Sequence, residues 1–331
     1  MIRPRLPKVA SGTRLTTDLV NGIINRTEYA ADLLRQYKLT AGNGMYVEPH
    51  YDGTRVSYLQ PVAGGATPTQ PITPTEPITS YKIVGTATVG GLNRGFLYDG
   101  STFTDVVYAA GIATQAYGID GSNIVGLASI LGIFSGGYLY NGSTFTSIVY
   151  PGSRQTGAYR IEGSNIVGFA SLLSGGVPRG FIYNGSSFTD IIYPGAFNTF
   201  AYGISGTNIV GRAVLLGIGT RGFLYDGSTF TDIIYPGSTS TVATDIDGSN
   251  IVGYATVGGI IIGYLYNGST FTNIIYPGAT ETEAWGIDGA NIVGQAAVGG
   301  IRRGFLYNGS TFTDIIYPGS SLTVANGIQN N

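Results

Sequence analysis

The chain has no cysteine, one histidine (His50), one tryptophan and two methionines, and only 11% of its 331 residues are charged. Without cysteine there can be no disulfide, thiolate metal site or cysteine nucleophile, and one histidine cannot build a multi-histidine metal centre. Ser-His-Asp catalysis has no general base beyond residue 50. The net charge of -2 supplies no broad basic field for nucleic acid or an anionic membrane. No run approaches the roughly 18 to 20 apolar residues of a membrane span. The first residues, Met1 to Lys8, are not followed by the apolar core of a secretory signal. The expectation is a soluble protein without metal, cofactor, nucleic-acid or membrane partner.

What is abundant is glycine, 53 residues, together with 24 tyrosines and 14 phenylalanines. Collagen would need a strict Gly-X-Y period and disorder would need few apolar residues, whereas 43% of this chain is hydrophobic. The glycines belong to a repeat. A block reading Gly-Phe-Leu-Tyr-Asp-Gly-Ser-Thr-Phe-Thr-Asp begins at Gly95 and returns at Gly137, Gly180, Gly222, Gly263 and Gly304, with spacings of 42, 43, 42, 41 and 41. Asn-Ile-Val-Gly starts at Asn123, Asn165, Asn208, Asn250 and Asn291, preceded by the variant Lys82-Ile83-Val84-Gly85. Segments of the Ala-Tyr-Gly-Ile type start at Ala116, Ala158, Ala201, Ala243, Ala284 and Ala325.

Each unit therefore holds four segments: a (Ala-Tyr-Gly-Ile), b (Asn-Ile-Val-Gly-x-Ala), c (Gly-Phe-Leu-Tyr) and d (Thr-Phe-Thr-Asp-Ile-Ile-Tyr). Their β-branched and aromatic residues predict strands, and the Asp-Gly and Asn-Gly pairs between a and b and between c and d predict tight antiparallel turns. Four antiparallel strands in a unit of about 40 to 45 residues make a propeller blade. The repeats open at residue 81 with b, c and d, and an a segment lies at 323–328. Pairing these pieces predicts an all-β fold, a six-bladed β-propeller over 81–331 whose closing blade is shared between 81–108 and 323–328.

The preceding region is different material. Leu19, Val20, Ile23, Ile24, Ala30, Ala31, Leu34 and Tyr37 fall near helical spacing, predicting a helix over about 16–39, and a hairpin is expected over about 45–60. Residues 64–80 are Pro/Thr-rich, a stiff spacer. Residues 1–63 hold 8 basic and 5 acidic residues against 9 and 13 in 80–331. We read 1–63 as an anchor and assembly region that favours oligomers.

Several motifs invite chemistry and have simpler explanations. The tyrosine rows in c and d and the phenylalanine row in d could stack on sugars, but blades packed face to face need bulky filler. Gly217-Ile218-Gly219-Thr220-Arg221-Gly222 matches GxGxxG, yet it precedes a strand and not a helix N-terminus. The sequons at Asn141, Asn184, Asn267 and Asn308 occupy turns where Asp99 and Asp226 also serve. Asp245-Ile246-Asp247-Gly248 lacks the later ligands of a calcium loop. Asp120, Glu162, Asp247 and Asp288 share one turn register with Ser205 and Gln329, and no blade's acids stand out as a glycosidase pair.

The a-b and c-d turns barely vary from blade to blade, whereas the b-c and d-a connections do, and antiparallel order places these two sets at opposite ends of the ring. The variable end is the expected partner-binding face, with Arg94, Phe134, Arg179, Arg221, Ile261, Arg302 and Arg303 as candidate contacts for a glycan or protein.

The repeat resembles the His-Ala-Phe type extracellular repeats of bacterial proteins, through Ala116-Tyr117-Gly118-Ile119 with Asn123-Ile124-Val125-Gly126 and through Arg221-Gly222-Phe223-Leu224-Tyr225-Asp226-Gly227. The family's His-Ala is replaced here and its Trp is Tyr, so the resemblance implies a propeller and no activity. Leu15 to Asp18, Arg26 to Tyr29 and Gly44 to Glu48 resemble the leading region of tailed-bacteriophage structural proteins. That resemblance implies a non-enzymatic virion protein of the tail fibre, baseplate or capsid. It would be assembled in the host cytoplasm, held to other virion proteins by residues 1–63, with the ring displayed to host-surface glycan or protein. A bacterial surface or interaction propeller and a glycan-degrading enzyme are the alternatives.

Overall fold

The computed structural model describes residues 46–47, 58–59, 81–108, 113–130, 134–173 and 177–330. The expected helix, the Pro/Thr spacer and His50 lie outside the described residues. The chain divides into Met1–Pro77 and Ile78–Asn331. In the first unit Tyr46–Val47 pairs antiparallel with Tyr58–Leu59, within the span expected to be a hairpin.

In the second unit the described strands form six antiparallel four-stranded blades, of which blades 2 and 3 and blades 4 and 5 are joined into eight-stranded sheets by single parallel bridges, Ser135 with Gln155 and Thr220 with Ser240. Blade 2 shows the pattern, with a at Ala113–Asp120, b at Asn123–Ile130, c at Phe134–Tyr140 and d at Phe145–Ile148. Blades 3 to 6 repeat it, opening on a strands Ser153–Glu162, Asn198–Ser205, Ser240–Asp247 and Glu281–Asp288. Blade 1 combines Leu322–Asn330 as a with Tyr81–Val89, Leu92–Tyr98 and Phe103–Val106. Ala325 faces Gly85 and Ile328 faces Ile83, so the two ends of the repeat region share one sheet.

The core is divided into seams between neighbouring blades. One seam joins Val167 and Ile191 of blade 3 to Ala201, Ile204, Ile209, Ala213 and Phe223 of blade 4, and the others repeat it. The c-strand aromatics Phe96, Tyr138, Phe181, Phe223, Tyr264 and Phe305 are fully buried, each contributing roughly 1.5–3 kcal/mol. Each packs over the glycine that follows Ile-Val in strand b. A Cβ on those glycines would lie 1.9–2.1 Å from a strand-a carbonyl oxygen, so no other residue fits. Where tyrosine replaces phenylalanine, its hydroxyl donates to a strand-a carbonyl, Tyr138 to Gln115 and Tyr264 to Val242.

The tyrosine and phenylalanine rows act as filler. Every d-strand Phe stacks 4.5 Å from the c-strand Tyr of its own blade. It also meets the d-strand Tyr of the preceding blade edge-on at 5.2–5.3 Å. The ring closes the same way, with Tyr317 of blade 6 on Phe103 of blade 1.

Candidate functional site

At the end where the a-b and c-d turns emerge, polar side chains serve the backbone. The sequon asparagines and their two aspartate equivalents make one turn: Asn141 Oδ1 accepts from the Ser143 and Thr144 N–H groups, and Asp99 Oδ1 from those of Ser101 and Thr102. Hydrogen bonds from Thr102 and Ser101 hold the Asp99 carboxyl well below the usual carboxylate range, and Thr229 and Ser228 do the same for Asp226. The a-b turn acids hold neighbouring blades together. Asp120 accepts from Gly163 N–H, Glu162 from Gly206, Ser205 from Gly248, Asp247 from Gly289, Asp288 from Asn330 and Gln329 from Gly121, at 2.6–3.2 Å. The six bonds form an unbroken circle. Their role is therefore wider than the turn itself, because each crosses to the next blade.

This circle surrounds a cavity of about 190 Å³ at the axis, floored by Arg160 and Asp245. Both residues stand where the other blades have Gly118, Gly203, Gly286 and Gly327. Strand a carries a bulge in every blade, which takes Tyr117, Tyr159, Tyr202, Thr244, Trp285 and Asn326 out of the ladder. The carbonyls freed at the bulge accept from the Arg160 guanidinium: Asn326 at 2.7 Å, Trp285 at 2.6 Å, and Tyr117. Its Nε lies 2.9 Å from Asp245 Oδ1. One side chain of blade 3 thus ties blades 1, 2, 5 and 6 at the axis. Burial pushes the Asp245 carboxyl above its ordinary value, opposed by Arg160 and by the Ile287 and Ile246 N–H groups. Asp245 and Asp247, read in sequence as a calcium fragment, are engaged with Arg160 and Gly289. The GxGxxG stretch is a b-c hairpin running into strand Gly219–Tyr225.

Below this plug the channel is aromatic. Tyr117 and Tyr159 have ring centroids 5.0 Å apart, Tyr159 and Tyr202 4.8 Å, and Tyr254 and Trp285 5.5 Å. Burial raises the hydroxyls of Tyr117, Tyr159, Tyr202 and Tyr254 above their ordinary value, so they are neutral.

The end carrying the b-c and d-a connections is apolar. Leu92, Leu173, Val177, Leu216, Ile218, Ile260 and Ile301 of b-c, Phe197 of d-a, and Val149, Ile192, Ile234, Ile275 and Ile316 at the ends of d are all exposed. They are the thirteen exposed large hydrophobic residues among the described residues, and none lies at the a-b end.

The arginines anticipated as contacts divide into two groups. Arg94, Arg179, Arg221 and Arg303 pair across to Asp105, Asp190, Asp232 and Asp314 on strand d. The other oxygen of each aspartate accepts from a d-strand tyrosine of the preceding blade, such as Tyr150 to Asp190 at 2.7 Å. Blades with Gly136 and Ile262 in place of arginine carry Ser147 and Asn273 in place of aspartate, a covariation visible in the sequence. Arg302 points the other way, to Glu281 and Glu283. Ile261 is half-buried, and Phe134 opens its c strand with its side chain outside the described residues. Sequence reasoning missed Arg160, Arg212 and the bulge residues; the signal was two broken glycines in one register.

The architecture is that of a β-propeller. No protein-family description matches the chain, and no curated protein does. Among solved structures the fold is similar to the β-propeller domain of the Trilobed protease from Pyrococcus furiosus, which has an open velcro topology. The TM-score is 0.50 at 11% identity, over 71% of this chain and 80% of that one. SapL1 lectin in complex with alpha methyl fucoside follows at 0.49 and 15%, over 72% and 96%. The six-bladed fucose-recognising lectin of Aleuria aurantia gives 0.42 and 15%, over 75% and 96%. At these identities the likeness is one of fold. No helix among the described residues is long and apolar enough to cross a membrane.

Proposed function

We propose that the chain is a non-enzymatic interaction propeller whose b-c and d-a end docks on the surface of another protein. The observation that carries this is the placement of all thirteen exposed large hydrophobic residues at that one end. Apolar surface gathered on one face of a soluble fold marks a contact surface, and its aliphatic character suits protein better than glycan. The arginines of that end are neutralised by their own aspartates, so they set its shape more than its charge.

The finer reading places the protein in a tailed-bacteriophage virion, with residues 1–63 joined to other virion proteins and the ring turned towards the host. The resemblance of the leading region supports this. Tagged full-length chain expressed during infection should enter purified particles, and chain lacking 1–63 should stay out. Equal incorporation of both would overturn the anchor. The docking face is tested with Leu216→Ser combined with Ile218→Ser and Ile260→Ser. The triple variant should fold normally and lose capture of the partner protein by at least ~10-fold, whereas unchanged capture would remove this face from consideration.

A further inference from the structure

The registers that break the repeat meet in one place. Ile-Val-Gly recurs in strand b of all six blades, but the next residue is Thr86, Leu127, Phe169, Arg212, Tyr254 or Gln295, never the same twice. These positions and the bulge residues surround the axial channel. Arg160 closes the channel towards the a-b end. Tyr117, Tyr159, Phe200, Tyr254 and Trp285, none of which lines the cavity at the a-b end, are only half-buried, so the axial rings keep solvent-accessible surface as an aromatic funnel.

Arg212 stands in its wall. Its guanidinium carbon lies 4.6 Å from the Phe200 ring centroid and 5.9 Å from that of Tyr202, a stacking that holds the plane in place. Every other fully or partly buried arginine among the described residues faces a carboxylate. Arg212 has none. The acid in the funnel, Glu283, is already matched by Gln295 Nε2 at 2.6 Å and by Arg302 Nη1 at 3.3 Å. The result is a guanidinium held over Phe200 and Tyr202 with no carboxylate partner among the described residues, facing the same axial channel as the Tyr254–Trp285 pair.

We propose that the funnel binds a carboxylate-bearing sugar unit of an acidic polysaccharide, its carboxylate on Arg212 and the apolar face of its ring on Tyr254 and Trp285. A guanidinium takes a carboxylate through two parallel hydrogen bonds, which a neutral sugar cannot supply. The site goes beyond the protein-contact reading, because it uses the channel and not the rim.

Trp285 is the single tryptophan of the chain, so emission excited selectively at tryptophan, beyond the absorption of the 24 tyrosines, reports this funnel. Full-length protein would be titrated with glucuronate and galacturonate, and in parallel with glucose, galactose, acetate and inorganic phosphate. The acidic sugars should change the Trp285 emission saturably, at concentrations where the other four have little effect. Arg212→Gln should weaken binding at least ~10-fold, while Lys82→Gln, which removes a cation at the a-b turn end, should leave it unchanged. Should Arg212→Gln fail to fold by circular dichroism, Arg212→Lys takes its place and should weaken binding severalfold. No response to either acidic sugar, an equal response to neutral sugars, acetate or phosphate, or unaltered binding by the folded Arg212 variant would each overturn the proposal. The Leu216, Ile218 and Ile260 triple variant should keep the sugar response, so failure of the docking face and failure of the funnel are distinguishable.

Discussion

At the a-b end, six turn side chains of four kinds do one job, accepting an N–H from the next blade. At the b-c end, residues at matching positions differ in size and polarity, and the exposed large hydrophobic ones have no polar group to bond. Strand registers show the same contrast. The outer seams repeat one aromatic arrangement six times, whereas the axis holds arginine, aspartate, tyrosine, threonine, tryptophan and asparagine at positions related by the ring. Repetition marks where the fold is maintained, and departure from it marks where closure and binding are individual.

Substitutions can break this contrast at several strengths. The largest effect is expected at a repeated position: Gly211→Ala would put a Cβ 1.9 Å from the Phe200 carbonyl oxygen. A cost on the order of 4 kcal/mol or more should show as loss of the cooperative thermal transition. Next is the axis. Arg160→Ala leaves Asp245 buried without its partner and three carbonyls without a donor, costing about 3 kcal/mol, read as a lower urea midpoint. Combining Arg160→Gly with Asp245→Gly restores the glycine used by the other blades. A double-mutant cycle should then show a coupling of about 2 kcal/mol, and strict additivity would deny the pair its role as a unit.

Smaller effects separate the two ends. Asp120→Ala removes one bond of the circle and should cost about 1 kcal/mol. Leu216→Ser on the opposite face should leave stability within about 0.5 kcal/mol, both measured by chemical unfolding. The smallest effect is on pH dependence. The depressed carboxyls of Asp99 and Asp226 add stability above their unfolded value, ~4, which is lost as pH falls towards their folded values. Asp99→Asn with Asp226→Asn makes the turn already used in four blades, and should flatten the acid limb of Tm against pH without altering Tm at neutrality.

Much of this was legible because the repeat writes the same local chemistry six times. Gly-Ser after Asn or Asp reads as a turn, Gly-Phe-Leu-Tyr as a strand with a buried aromatic, and the divided blade at 81–108 and 323–328 as closure. The same uniformity hid the clasps, since Asp120 and Gly163 look like separate turn residues until neighbouring blades set them 2.6 Å apart. The arginines that precede the strand-c glycine read as a free ring because their aspartate partners, eleven residues on, look like ordinary strand residues.

Sequence by itself determined blade number, strand order, turn positions and the divided closing blade, because these follow from local periodicity and from counting. Only the tertiary structure decided the axis. Arg160, Asp245 and Asn326 are far apart in the chain, and the register that Arg160 and Asp245 share does not show that their side chains meet. They meet because ring closure brings the same register of every blade to one line, where a bulge frees carbonyls that a single guanidinium can gather.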